Sequence, residues 1–135
     1  MTEEKTKIKV LIAEDEAHIR TLIGRALASM GCQVVAEAEN GDVAVELYRN
    51  HKPQITLLDI NMPKADGVSA LKRIKAEFPS ALVIMITSLS SMDVVKECLA
   101  LGAANYIRKD TPLAEMKILI KETWLDYLKE IKGGE

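Results

Sequence analysis

Five short apolar runs, separated by segments with helical spacing, limit most strongly what this chain can fold into. They are Ile8-Lys9-Val10-Leu11-Ile12-Ala13, Gln33-Val34-Val35-Ala36-Glu37-Ala38, Ile55-Thr56-Leu57-Leu58, Leu82-Val83-Ile84-Met85-Ile86 and Ala104-Asn105-Tyr106-Ile107-Arg108. Runs of this kind, recurring at intervals of roughly 20 to 30 residues, predict βαβ units and a parallel sheet. The third and fourth are almost wholly apolar, as central strands covered by helices on both faces must be. The second carries Glu37 and follows Gly31, which suits an edge strand.

The segments between them repeat with helical period. Ile19, Leu22, Ile23, Ala26 and Leu27 form a first stripe, closed by Gly31 as a C-terminal cap. Asn40-Gly41-Asp42 opens a second helix bearing Val43, Leu47 and Tyr48, which stops before Pro53. A third runs from about Gly67 through Leu71 and Ile74 to the neighbourhood of Pro79. A fourth starts at an N-cap, Ser90 or Ser91, and carries Val94, Val95, Cys98 and Leu99 up to Gly102. The last has Thr111 as its cap and Pro112 at N1, and passes through Met116, Ile120, Trp124, Tyr127 and Ile131 to Gly133-Gly134. Right-handed crossovers then give a doubly wound α/β sheet with helices on both faces. With no repeat or linker in view, residues 1–135 are expected to form a single domain.

Composition excludes several roles. The hydrophobic fraction is 48%, the charged fraction 28% and the formal net charge -2, which gives no electrostatic case for nucleic acid or an anionic membrane. Cys32 and Cys98 have no metal-site spacing and read as small buried apolar residues in a reducing compartment. The polar start Met1-Thr2-Glu3-Glu4-Lys5-Thr6-Lys7 lacks the apolar stretch of a secretory signal. No run approaches the roughly 20 apolar residues of a membrane span. A cytoplasmic protein is expected.

Function is written at the ends of the strands. In doubly wound sheets ligands bind outside the carboxyl ends, near the switch in strand order. Those ends carry Glu14-Asp15, Asp59, Thr87 and Lys109. Three carboxylates at close quarters repel one another, and one lysine does not compensate them. A hard cation with oxygen ligands is the natural partner, and magnesium prefers a few carboxylates with waters and a phosphate oxygen. Beside it an aspartate can attack phosphorus. Lys109 and Thr87 can hold phosphoryl oxygens.

Taken together, these motifs resemble the response-regulator receiver domain of bacterial two-component signalling, of the stand-alone chemotaxis type. The resemblance covers about residues 8 to 128. It is carried by Leu11-Ile12-Ala13-Glu14-Asp15-Glu16, Leu57-Leu58-Asp59-Ile60-Asn61-Met62-Pro63 with Asp66-Gly67, Ile86-Thr87-Ser88, and Gly102-Ala103 leading to Tyr106-Ile107-Arg108-Lys109. It implies a flavodoxin-like, three-layer fold with five helices and strand order 2-1-3-4-5. It also implies that Asp59 accepts phosphate from a kinase phosphohistidine. Asp15, Asp59 and the backbone carbonyl of Asn61 match the ligands of Mg2+, and Glu14 the neighbour that reaches the metal through water. Thr87 and Tyr106 match the switch pair. The expected partners are a sensor histidine kinase or phosphotransfer protein and a downstream protein bound on the helix 4–strand 5–helix 5 face. Direct nucleic-acid contact, membrane insertion and a DNA-binding output domain are not expected; the protein is expected as a monomer or a phosphorylation-dependent dimer. It would catalyse only its own phosphorylation and dephosphorylation. Asn61 and Leu89, by position, would tune the phosphoryl lifetime.

The family usually places proline after its lysine, whereas Asp110-Thr111 intervenes here before Pro112. The final helical pattern also runs one or two turns past the usual end, to about residue 132, which suggests a partner or dimer surface. Two other classes share part of the pattern. A phosphatase of the haloacid-dehalogenase type needs a second aspartate two positions after its nucleophile, where this chain has Asn61. A flavodoxin-like nucleotide binder wants glycines where Glu14-Asp15-Glu16 stands. His18 reads as the surface partner of Glu14, four residues earlier on the first helix, and His51 as solvated. Trp124 and Tyr127 fit helix packing and partner contact equally well.

Overall fold

The computed structural model describes residues 7–88 and 92–133. Leu89, Ser90 and Ser91 lie outside the described residues. The elements are β1 (Ile8–Ala13), α1 (Ala17–Ser29), β2 (Cys32–Ala38), α2 (Gly41–His51), β3 (Ile55–Asp59), α3 (Gly67–Glu77), β4 (Val83–Thr87), α4 (Met92–Ala100), β5 (Asn105–Arg108) and α5 (Leu113–Gly133). All pairings are parallel, in the order β2-β1-β3-β4-β5. The doubly wound sheet expected from the sequence is therefore present, with β2 at one edge.

Alternation along the strands divides the core between two faces. Leu11, Ala13, Leu58, Val83 and Met85 pack with Ala44, Val45, Leu71, Ile74, Val95 and Cys98 from α2, α3 and α4. Val10, Ile12, Leu57, Ile84, Ile86 and Ile107 pack with Ile23 and Leu27 of α1 and Met116 and Ile120 of α5. Every residue of β3 and β4 is buried, because both of their faces are covered. Cys32 and Cys98 are buried free thiols.

The helix ends explain where the loops begin. Asn40 caps α2 by accepting from Val43 N (2.9 Å), and Asp66 caps α3 by accepting from Ser69 N (2.9 Å). Gly31, at φ +82°, takes the left-handed turn after α1. At α5 the first helical bond runs from Met116 N to Pro112 O, and the helix starts at Leu113, one position later than the sequence implies. The Lys109–Asp110 peptide is trans, no cis bond occurring among the described residues.

Several expectations need correction. Leu22 and Val43 are solvent-exposed borders of their stripes, and Leu99 and Ile131 likewise face out. Ala44 and Val45 fill the place given to Val43. The His18–Glu14 pair does not exist, because α1 begins at Ala17 and Glu14 belongs to the preceding loop with its carboxylate buried. Trp124 and Tyr127 serve packing: their rings stack at 5.8 Å, and Tyr127 Oη donates to Ser80 O (2.8 Å), tying α5 to the loop before β4.

Candidate functional site

The expected residues stand at or just after the carboxyl ends of strands. β1 delivers Glu14 and Asp15, β3 ends in Asp59, β4 ends in Thr87, and Lys109 follows β5. The carboxylates of Glu14, Asp15 and Asp59 offer oxygens that all lie within 4.8 Å of one another. Asp59 and Glu14 are fully buried, whereas Asp15 is exposed. The three expected carboxylates thus lie in one place.

Lys109 holds the carboxylates together. Its Nζ lies 3.0 Å from Asp59 Oδ2, 3.2 Å from Glu14 Oε1 and 3.6 Å from Glu16 Oε1. Asp59 Oδ1 accepts from Asn61 N (3.1 Å), so the loop after β3 folds back on the aspartate. Gly67 packs against the Asp59 backbone, and its N–H donates to Ile60 O (2.9 Å). The start of α3 is therefore built directly on the end of β3.

Thr87 is buried, and its hydroxyl donates to Ser88 O (3.0 Å). Tyr106 is half-buried beside the α2–α3–α4 cluster. Met85 is the register partner of Tyr106, so Tyr106 and Thr87 stand on the same face of adjacent strands. The side chain of Asn61 is exposed at the rim.

The electrostatics are those of too many carboxylates for one ammonium. Burial, reinforced by the charge of Asp59, pushes the Glu14 carboxyl up to about 7. Burial likewise raises Asp59, with Lys109 opposing it. Burial tends to lower Lys109, but its bonds and charge pairing with Asp59 and Glu14 prevail and raise it. Glu14 Oε1 is buried and near Lys109 yet has no hydrogen bond among the described residues, which leaves it able to accept one. An all-oxygen, net-negative donor set with an accessible Asp15 fits a hard divalent cation.

A pH dependence follows. A carboxyl raised on folding holds its proton more tightly in the native state, so its contribution is full below the unfolded value of 4.5 and is lost as pH rises through about 7. For Glu14 the loss is on the order of 3 kcal/mol. The metal-free protein should therefore melt lower at pH about 7.5 than at about 5.5. Millimolar magnesium should restore roughly 3–6 °C at the higher pH and much less at the lower. Equal gains at both pH values in thermal scans would contradict this account, and Glu14→Gln should flatten the difference.

Arg20 was not anticipated from sequence. Its guanidinium donates from Nη1 to the Glu14 carbonyl (2.6 Å) and from Nε to Glu37 (3.0 Å). The one available signal was a cation in the first turn of a helix, where the macrodipole disfavours it.

Comparison with known proteins agrees with this geometry. The family model described as "Response regulator receiver domain" matches residues 10–121. The chain is similar to Chemotaxis protein CheY of Bacillus subtilis, 41% identical over 101 residues, covering 75% of this chain and 84% of that one. Among solved structures it is similar to the REC domain of AraT, a response regulator from Geobacillus stearothermophilus. That match has a TM-score of 0.84 and 30% identity, covering 93% of this chain and 98% of the other. A CheX-CheY-BeF3-Mg+2 complex from Borrelia burgdorferi matches with a TM-score of 0.77 and 32% identity, covering 92% of this chain and 88% of that one. With its fold, its acidic cluster and these likenesses in agreement, the chain belongs to the response-regulator receiver family of two-component signalling.

Proposed function

We propose that Asp59 is the phosphoacceptor, taking a phosphoryl group from the phosphohistidine of a sensor kinase or phosphotransfer protein. The observation that carries this reading is a fully buried carboxylate with Lys109 Nζ at 3.0 Å and two further carboxylates at its side. An Asp59 oxygen forms the new bond to phosphorus as the P–N bond breaks, and the imidazole nitrogen leaves with the electron pair. Asp15, Asp59 and the Asn61 carbonyl would hold Mg2+, with Glu14 reaching it through water. The cation, when bound, neutralises charge shared between the carboxylates and the phosphoryl oxygens. Lys109, released from Asp59 Oδ2, then pairs with a phosphoryl oxygen.

The same side chains supply the readout. The Thr87 hydroxyl, now donating to Ser88 O, turns toward the new phosphoryl group. The space it leaves lies on the face that carries Tyr106, whose ring moves inward from its half-buried position. That rearrangement alters the α4–β5–α5 surface, where a downstream protein binds. We assign the chain no substrate turnover beyond its own phosphorylation and dephosphorylation, and place it in the cytoplasm. Among the described residues no helix is long and apolar enough to cross a membrane.

Acetyl phosphate with magnesium tests the reading without a cognate kinase. The intact mass should rise by one phosphoryl group, chelation of magnesium should prevent the rise, and p-nitrophenyl phosphate should not be turned over. A chain left unmodified by acetyl phosphate and by several phosphorylated kinases is not a phosphoacceptor. Turnover of the nitrophenyl ester would instead favour the phosphatase class.

A further inference from the structure

Arg20 occupies a position that is unfavourable on two counts. It lies in the first turn of α1, at the positive end of the helix dipole, and no acidic residue shares that turn. Its side chain is also only 16% exposed, so much of its hydration is lost. Two acceptors offset these costs: the Glu37 carboxylate on the edge strand β2 and the backbone carbonyl of Glu14. The guanidinium thus ties the end of β2 to the loop that presents the acidic pair.

Glu14 is held through its backbone and one carboxylate oxygen. Its N–H donates to Ala38 O (2.9 Å), its carbonyl accepts from Arg20, and its Oε2 accepts from Glu16 N (3.0 Å). Among the described residues Asp15 has no such ties, and its side chain is exposed. It hangs from the peptide whose carbonyl Arg20 grips, and a planar peptide with a fixed C=O fixes the direction of the following N–Cα bond. Building on the metal reading above, we infer that Arg20, braced by Glu37, is a positioning residue that sets where Asp15 presents its carboxylate to the cation.

The charge of Arg20 acts in the opposite sense. A positive group beside a cation site repels the ion, and Glu37 pairs with Arg20 and dampens that repulsion. Removing Arg20 therefore weakens magnesium binding if its role is positional and tightens it if its role is only electrostatic. Lysine in its place keeps the charge but lacks the planar fork that reaches two acceptors at once.

Calorimetric titration of the full chain with magnesium alone separates these cases. Arg20→Met and Arg20→Lys should each weaken affinity about ten-fold, the usual scale for a group that orients a ligand. The magnesium concentration giving half-maximal labelling by acetyl phosphate should rise by the same factor, while the rate at saturating metal changes by less than about two-fold. Should Arg20→Met fail to fold, Arg20→Lys decides alone, because it keeps the charge: a weaker affinity there is positional, and an unchanged one is not. Unchanged affinity with only a lower melting temperature would reduce Arg20 to a structural tie, and tighter binding in Arg20→Met would make it a charge; either overturns the inference. A wild-type chain that binds no magnesium would overturn the metal reading itself, an outcome visible before any variant is made.

Discussion

Asp59→Asn should abolish phosphoryl transfer from every donor and, without metal, make the protein more stable than the wild type. The two effects have one cause. Asp59 is fully buried, burial raises its carboxyl, and in the ionised state it shares a small volume with Glu14 and Asp15. Asparagine keeps the shape and removes one of three negative charges. It also weakens the bond from Lys109 Nζ at 3.0 Å, but Lys109 retains Glu14 at 3.2 Å. Relief of carboxylate repulsion should prevail by about 1–2 kcal/mol at neutral pH. Loss of the nucleophile is absolute, since an amide oxygen does not form a stable acyl phosphate. Millimolar magnesium should shrink the stability difference, because only the wild type has the full ligand set. A variant that melts below the metal-free wild type would show that the Lys109 bond outweighs the repulsion.

Gly67→Ala should be among the most damaging small changes in the chain. A Cβ at position 67 would collide with the Asp59 carbonyl oxygen and come within 2.8 Å of Ile60 Cα. Neither obstacle is a flexible side chain. Both belong to the backbone leaving β3, and that backbone also bonds Gly67 N. Alanine is a better helix former than glycine by about 1 kcal/mol, but overpacking against backbone costs about 3 kcal/mol or more. The expected fall in melting temperature is roughly 10 °C. Phosphorylation should slow as well, because relief of the collision moves Asp59. Gly24, inside α1 with nothing within 4 Å of an added Cβ, is the control: the same substitution there should stabilise. Equal effects at the two positions, measured by thermal unfolding and acetyl phosphate labelling, would refute the packing argument.

Much of this architecture was legible because the central strands are buried on both faces. Continuous apolar runs such as Leu82–Ile86 leave little choice of secondary structure, and the parallel order brings Glu14 and Asp59 to Lys109, 95 residues on from Glu14. The candidate site was legible for the same reason: Glu14, Asp59, Thr87 and Lys109 each end or directly follow a strand. Helix borders were harder to place. Leu22 and Val43 match the helical period but fall at the edge of the buried arc, where the ~100° step of a single residue separates core from solvent. His18 was misassigned because the spacing rule holds only within a helix, and Glu14 precedes α1 by a bend. Arg20 escaped because its partners are a backbone carbonyl and a glutamate 17 residues away on another element. Capping motifs encode a side chain bonding the main chain of its own helix start, but no such motif describes an arginine reaching back to a carbonyl six residues earlier.

The account turns on which oxygen receives the phosphoryl group. Borohydride reduction of the acetyl phosphate-treated protein converts an acyl phosphate to the alcohol and marks the acceptor permanently. Peptide mapping should then find homoserine at position 59, dependent on magnesium, with Glu14 and Asp15 untouched. A mark on either of those two carboxylates, or phosphate recovered on a hydroxyl or imidazole with position 59 unreduced, would contradict it.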